Sequence, residues 1–173
     1  MFFAGSGGQG VLLMGQLITY SAMWQDKAAT FLPSYGPEMR GGTASCGVVV
    51  SNHQIATPIV LHPNVLIAMN LPSLDKYEPE VQEGGAIYVD SSLVERKVKR
   101  DDVEVHYIPA TLLAAQNSLD GLANMIIMGS VLKNEGTEIN DETVEKALGK
   151  CISARHADML KFNRDALLLG SKY

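Results

Sequence analysis

The hexapeptide Gly5-Ser6-Gly7-Gly8-Gln9-Gly10 limits what this chain can fold into more than any other stretch. A short apolar run, Phe2-Phe3-Ala4, precedes it, and a long apolar segment, Val11 to Trp24, follows. Strand, glycine-rich turn and helix form the first unit of a nucleotide-binding α/β fold. Glycines let the turn take φ > 0 and let a ligand come close to the backbone. The helix start then offers unpaired N–H groups and a partial positive charge to a phosphate. Gly5, Gly7 and Gly10 occupy the fixed positions of G-x-G-x-x-G. The same glycines also suit a tight turn with close helix–sheet packing and no ligand. The hexapeptide alone leaves both readings open.

A dinucleotide site needs a carboxylate at the end of the second strand, roughly 20 residues on, to hold the ribose hydroxyls. The second strand is read as Ala28 to Leu32, and it runs into Pro33-Ser34-Tyr35 with no acid. Asp26 lies before that strand. NAD is therefore disfavoured, while a phosphate or pyrophosphate site stays open.

Charge distribution narrows the class further. Met1 to Gln25 and Gly41 to Leu74 carry no charged residue. Strands of a parallel sheet buried on both faces explain part of this. A helix over Val11 to Trp24 that is apolar nearly all round is buried all round, which favours a subunit interface. The net charge of −5 argues against a binder that works by neutralising nucleic-acid phosphates. Cys46 and Cys151 lie far apart and in no C-x-x-C, which suits a reducing cytoplasm and excludes an iron–sulfur cluster held by this chain alone. No basic n-region of a signal peptide is visible, and no apolar run approaches the roughly 18 residues of a membrane helix. The 173 residues are enough for one domain with a sizeable core, and no internal boundary is visible.

Residues 33–42 hold two prolines and three glycines and are read as a loop carrying Tyr35, Glu38 and Arg40. Thr43 to Ser51, Val65 to Met69, Ala86 to Asp90 and Val103 to Ile108 are read as strands, and Ile55 to Leu61 as a short or edge strand. Helices are expected from Pro72 to Tyr77, Pro109 to Gln116, Gly121 to Asn134, after an Asn140 cap stapled by Ile139 and Val144, and from His156 to Leu169. Glu95 to Glu104 is read as a solvated loop. The fold class is a Rossmann-like α/β three-layer sandwich around a largely parallel sheet, with extra C-terminal helices. Ligands of such sheets lie beyond the carboxyl ends of the strands. Both glycine-rich loops follow strands, so both belong at that end, where Arg40 and the helix-end amides could clamp one anion. His53, His62, His106 and His156 have no metal-like spacing, and no metal site is expected. Ser6 has no evident His/Asp partner, so no nucleophile and no catalytic acid–base pair is assigned.

Phe-Ala-Gly-Ser-Gly-Gly-Gln-Gly at 3–10 together with Ser-Tyr-Gly-Pro-Glu-Met-Arg-Gly-Gly at 34–42 resembles the gamma subunit of 2-oxoacid:ferredoxin oxidoreductases. In single-chain pyruvate:ferredoxin oxidoreductases the same unit is an internal domain. The similarity extends over Pro72 to Tyr77, Glu83-Gly84-Gly85, Tyr107 to Ala110 and Asn124 to Gly129. Only four residues precede Gly5, which leaves open a natural start upstream.

The resemblance implies one piece of an enzyme that oxidatively decarboxylates a 2-oxoacid with thiamine diphosphate, coenzyme A and ferredoxin. Thiamine diphosphate, magnesium and iron–sulfur clusters would then sit on alpha, beta and ferredoxin-like delta subunits. This chain would contribute coenzyme A binding and assembly and be inactive alone. Its uncharged first helix and uncharged span from Gly41 to Leu74 lead to an expectation of self-association or poor solubility when it is isolated. Its candidate coenzyme A contacts are Ser6, Gly7, Gly8, Gln9, Gly10, Ser34, Tyr35, Arg40 and Gly41. The resemblance puts 2-oxoglutarate first as substrate, ahead of pyruvate, indolepyruvate and branched-chain acids. A free-standing nucleotide- or flavin-binding protein and a purely structural interaction subunit remain the alternatives.

Overall fold

The computed structural model describes residues 1–36, 42–135, 141–152 and 157–173. Six strands form one sheet in the order β2-β3-β1-β4-β5-β6. They are β1 (Phe2–Ser6), β2 (Ala28–Tyr35), β3 (Thr43–Ser51), β4 (Val65–Ala68), β5 (Ala86–Asp90) and β6 (Glu104–Ile108). The helices are α1 (Val11–Met23), α2 (Leu71–Tyr77), α3 (Ala110–Gln116), α4 (Ala123–Asn134), α5 (Asp141–Cys151) and α6 (Met159–Gly170). Three of the five strand pairings, β1–β4, β4–β5 and β5–β6, are parallel. β3 runs antiparallel to both of its neighbours, β1 and β2.

Side chains alternate across the sheet, as the period of two in a strand requires. Phe3, Val65, Ile67 and Tyr88 enter a large core with Met14, Ile18, Met125 and Ile126. Leu66, Ala68, Ile87 and Val89 enter a smaller core with Leu74, Val81 and Val94. Every residue of β4 and β5 is buried, so burial on both faces accounts for that part of the uncharged sequence.

α1 lies against β1, β2 and β3, and α5 packs on its other side. The cover foreseen from a partner subunit is thus supplied largely by the chain's own C-terminal region. Met23 and Trp24 at the end of α1 stay exposed. α4 and α6 cross at almost backbone contact. A side-chain carbon at Gly129 would lie 2.0 Å from the Leu167 carbonyl oxygen, and one at Gly170 would lie 1.7 Å from that of Ile126. Among the described residues no helix is long and apolar enough to cross a membrane.

Four expectations need correction. β2 continues through Pro33, Ser34 and Tyr35 instead of ending at Leu32. Gly36 N–H donates to Thr43 O, so the alternate pairs of this antiparallel ladder exchange hydrogen bonds and Pro33, opposite Cys46, falls on a pair that does not. On an edge strand its missing N–H therefore costs nothing. Ile55 to Leu61 forms no strand. The segment is exposed, with Ile59 57% and Leu61 69% accessible, and burial does not explain its lack of charge. Glu95 to Glu104 is not simply solvated. Arg96 reaches the buried Glu78 carboxylate at 2.7 Å, Lys99 N–H donates to the same carboxylate, and Arg100 donates to the carbonyl oxygens of Glu78 and Val81. The Asn140 cap, the Ile139 staple and His156 lie outside the described residues. α4 starts at Ala123 and not at Gly121, which has φ +81°.

Candidate functional site

The sheet order reverses direction between β1 and β4, the place where open α/β sheets leave a crevice for a ligand. The carboxyl ends of β1 and β2 and the start of β3 lie together there. Ser6 pairs with Thr43, and Ala44 pairs with both Gly5 and Tyr35. Gly7 N–H donates to Gly42 O at 2.8 Å. The glycine turn and the connection between β2 and β3 are therefore joined, as the sequence reading expects.

The turn has an inward and an outward half. A side-chain carbon at Gly5 would lie 2.7 Å from Gln9 Oε1, 2.8 Å from Val11 and 2.9 Å from Met69. Gly10 has φ +70°, and a side-chain carbon there would lie 2.2 Å from Asn124 Nδ2. Gly8 has φ +98°, and no described residue comes within 4 Å of where its side chain would be. Gly7 and Gly8 are exposed.

Gln9, a candidate contact, is engaged within the fold. Its Oε1 accepts from Ser6 N–H at 2.7 Å, its Nε2 donates to Met69 O at 3.0 Å, and its own N–H donates to Ser6 O. It latches the turn to the end of β4. α1 starts from Gly10 with no side-chain cap and no acid in its first turn. Among the described residues its first N–H groups thus have no side-chain acceptor, the condition under which a helix start attracts an anion.

Ser34 and Tyr35 follow the strand alternation onto opposite faces of β2. Tyr35 shares its face with Gly5 and α1 and is 70% exposed, about 10 Å from β1 across two strand spacings. Ser34 shares the other face with Ser45. Arg40 and Gly41 lie outside the described residues.

Two residues at this end escaped the sequence reading. Asn70, after β4, accepts from Ser73 N–H at 2.9 Å through Oδ1 and so caps α2. Its Nδ2 donates to Ser6 Oγ at 2.7 Å and to Gln9 Oε1 at 3.3 Å. An Asn directly before Leu71-Pro72 was the available signal. Asn124, 3% exposed at the start of α4, donates to Gly10 O at 3.3 Å behind the turn. No local signal in the sequence points to that contact.

Both cysteine thiols are at least half withdrawn from solvent, Cys46 fully so. Burial pushes the Cys46 thiol up to about 12 and the Cys151 thiol up to about 11, so both stay protonated at neutral pH. Among the described residues no three His, Cys, Asp or Glu side chains gather as a metal site would need. Beside the turn lies a hollow of about 20 Å³, lined by residues such as Gly5, Thr43, Ser45, Ser73 and Lys76. A cavity of about 430 Å³ opens at the opposite ends of the strands, lined by residues such as Val48, Ile59, His62 and Glu135. It is larger, but it has no glycine turn and no helix start.

The fold and the paired loops define a class, and comparison with known proteins bears it out. The chain belongs to the pyruvate ferredoxin/flavodoxin oxidoreductase family, whose description matches residues 1–173. It is 36% identical over 145 residues to the ketoisovalerate oxidoreductase subunit VorA of Methanothermobacter marburgensis, a match covering 84% of this chain and 30% of that one. It is 34% identical over 148 residues to the 2-oxoglutarate synthase subunit KorC of Methanocaldococcus jannaschii, covering 84% of this chain and 79% of that one. The keto/oxoacid ferredoxin oxidoreductase gamma subunit from Geobacter sulfurreducens has the same fold, with a TM-score of 0.79, 28% identity, and 99% and 95% of the two chains covered. The chain thus spans about 30% of the length of VorA and most of the length of the other two.

Proposed function

We propose that this chain, as one gamma-type domain over residues 1–173, is a subunit of a multi-subunit 2-oxoacid:ferredoxin oxidoreductase. The whole enzyme converts a 2-oxoacid, coenzyme A and oxidised ferredoxin to acyl-coenzyme A, carbon dioxide and reduced ferredoxin. The chain contributes coenzyme A binding and subunit assembly. Thiamine diphosphate, magnesium and the clusters belong to alpha, beta and delta partners in the cytoplasm. Similarity to KorC supports 2-oxoglutarate as the first substrate to try, and similarity to VorA supports a branched-chain 2-oxoacid next.

One observation carries the binding role: the Gly7–Gly42 hydrogen bond holds the two glycine-rich loops together beside an uncapped helix start. The open space over Gly8 fits a phosphate oxygen where any side chain would intrude. Coenzyme A, when bound, supplies the thiol that takes the acyl group, and the residues here hold its phosphates. Gly7 and Gly8 let it approach, the first-turn N–H groups of α1 face its charge, and Ser6 offers a hydroxyl. Arg40, carried on the 37–41 connection, is assigned to its phosphate oxygens by the pairing a guanidinium makes best. The shallow enclosure at the turn and the exposed Ile59 and Leu61 support a site and a surface that a partner completes.

The test uses recombinant subunits and a viologen acceptor. The isolated chain is expected to show no turnover with any 2-oxoacid, and addition of alpha and beta chains to restore coenzyme A-dependent turnover. Turnover by this chain alone, free of other subunits, would overturn the assignment.

A further inference from the structure

We infer that Asn70 is a positioning residue that fixes the direction of the Ser6 hydroxyl, so that its proton is presented outward to an anion held at the glycine turn. The inference rests on the anion-binding reading of that turn.

The orientation follows from hydrogen-bond bookkeeping alone. Ser73 N–H is a donor, so the Asn70 atom it meets at 2.9 Å must be the carboxamide oxygen. The other end of the carboxamide is therefore the NH₂ group, and it must donate to Ser6 Oγ at 2.7 Å. A hydroxyl has one proton and two lone pairs, and one lone pair is now taken. The Ser6 N–H is held by Gln9 Oε1, so its backbone cannot turn away. Among the described residues the Ser6 hydroxyl donates to none. That proton therefore has no acceptor among the described residues, and the adjoining Gly7 and Gly8 are exposed. A helix cap and a ligand contact are thus coupled through one side chain.

Asn70→Asp separates the two roles. An aspartate keeps the cap, because Oδ1 still accepts from Ser73 N–H. Its second oxygen, placed where Nδ2 was, accepts the Ser6 proton and withdraws it from the ligand. Coenzyme A is titrated into the assembled complex by calorimetry, with thermal denaturation alongside, for the wild type, Ser6→Ala, Asn70→Asp and the double variant. The expected result is a loss of affinity of roughly 10- to 100-fold for each single variant, the scale of a hydrogen bond to a charged group. The double variant is expected to lose little more than either single one, and Asn70→Asp to keep its melting temperature. If Asn70→Asp binds like the wild type, the inference fails while the reading of the site stands. If it loses as much affinity in the Ser6→Ala background as in the wild type, its added charge is the cause and the inference fails. If the wild-type complex binds no coenzyme A, or if Ser6→Ala binds unchanged, the reading of the site fails with it.

Discussion

The inward and outward halves of the glycine turn use the same residue type for opposite ends. At Gly5 and Gly10 a side chain would strike Gln9, Val11, Met69 or Asn124. At Gly8 it would strike none of the described residues, yet φ is +98°. The inward glycines are a packing requirement, set by how closely α1 and α4 approach the end of β1. The outward one gives room and backbone freedom on the solvent side, where only a ligand or a partner benefits. A glycine motif read as one unit hides this division, because two of its three fixed positions serve the fold.

The largest expected effect is that of Gly10→Ala. The new methyl meets Asn124 at 2.2 Å and the residue keeps φ +70°, so the combined clash and backbone strain should destabilise by about 2–4 kcal/mol. Thermal or denaturant unfolding checks this, and an unchanged midpoint would erase the distinction between the halves. Next comes Gln9→Ala, which removes the latch to Ser6 N–H and Met69 O and should cost about 1–3 kcal/mol. If Gln9 is part of the packed half, stability falls and the coenzyme A KM of the surviving complex stays put. Arg40→Lys should show the reverse order. Coenzyme A use by the assembled enzyme weakens by about 1–3 kcal/mol while its melting temperature hardly moves.

The smallest effect is a control remote from the turn. A hydrogen bond from Arg100 holds the Asp102 carboxyl below its ordinary value of 3.8. A depressed folded-state value means that its contribution is complete above 3.8 and is lost as pH falls through the lower value. Unfolding curves from pH 5 to pH 2 should show less acid sensitivity in Asp102→Asn than in the wild type. Coenzyme A binding at pH 7 should be the same in both.

Much of this was legible before any coordinates. Apolar runs such as Val65–Ala68 and Ala86–Asp90 are buried on both faces, so composition alone marks them as central strands. The glycine turn was legible because strand, glycines and apolar helix are contiguous. Pro33 misled, since a proline reads as a strand end unless its place on an edge and in the ladder is known. The loop over 95–104 misled for another reason. Its arginines answer a carboxylate, Glu78, whose burial no local pattern reveals. The crossing of α4 and α6 at Gly129 and Gly170 joins residues 41 positions apart and leaves no periodic trace. Asn70 and Asn124 were missed likewise, because their partners Ser6 and Gly10 lie far away in sequence.

The most direct measurement of the division between the halves is the coenzyme A KM of the assembled enzyme carrying Gly8→Val, with its melting curve. Valine would fill the open space over the turn, and a β-branched residue at φ +98° adds backbone strain of about 1–2 kcal/mol. A KM raised at least roughly tenfold, the equivalent of about 1.4 kcal/mol, is expected in a complex that still assembles and melts within a few degrees of the wild type. An unchanged KM in an intact complex would show that no phosphate rests on Gly8 and would contradict the account.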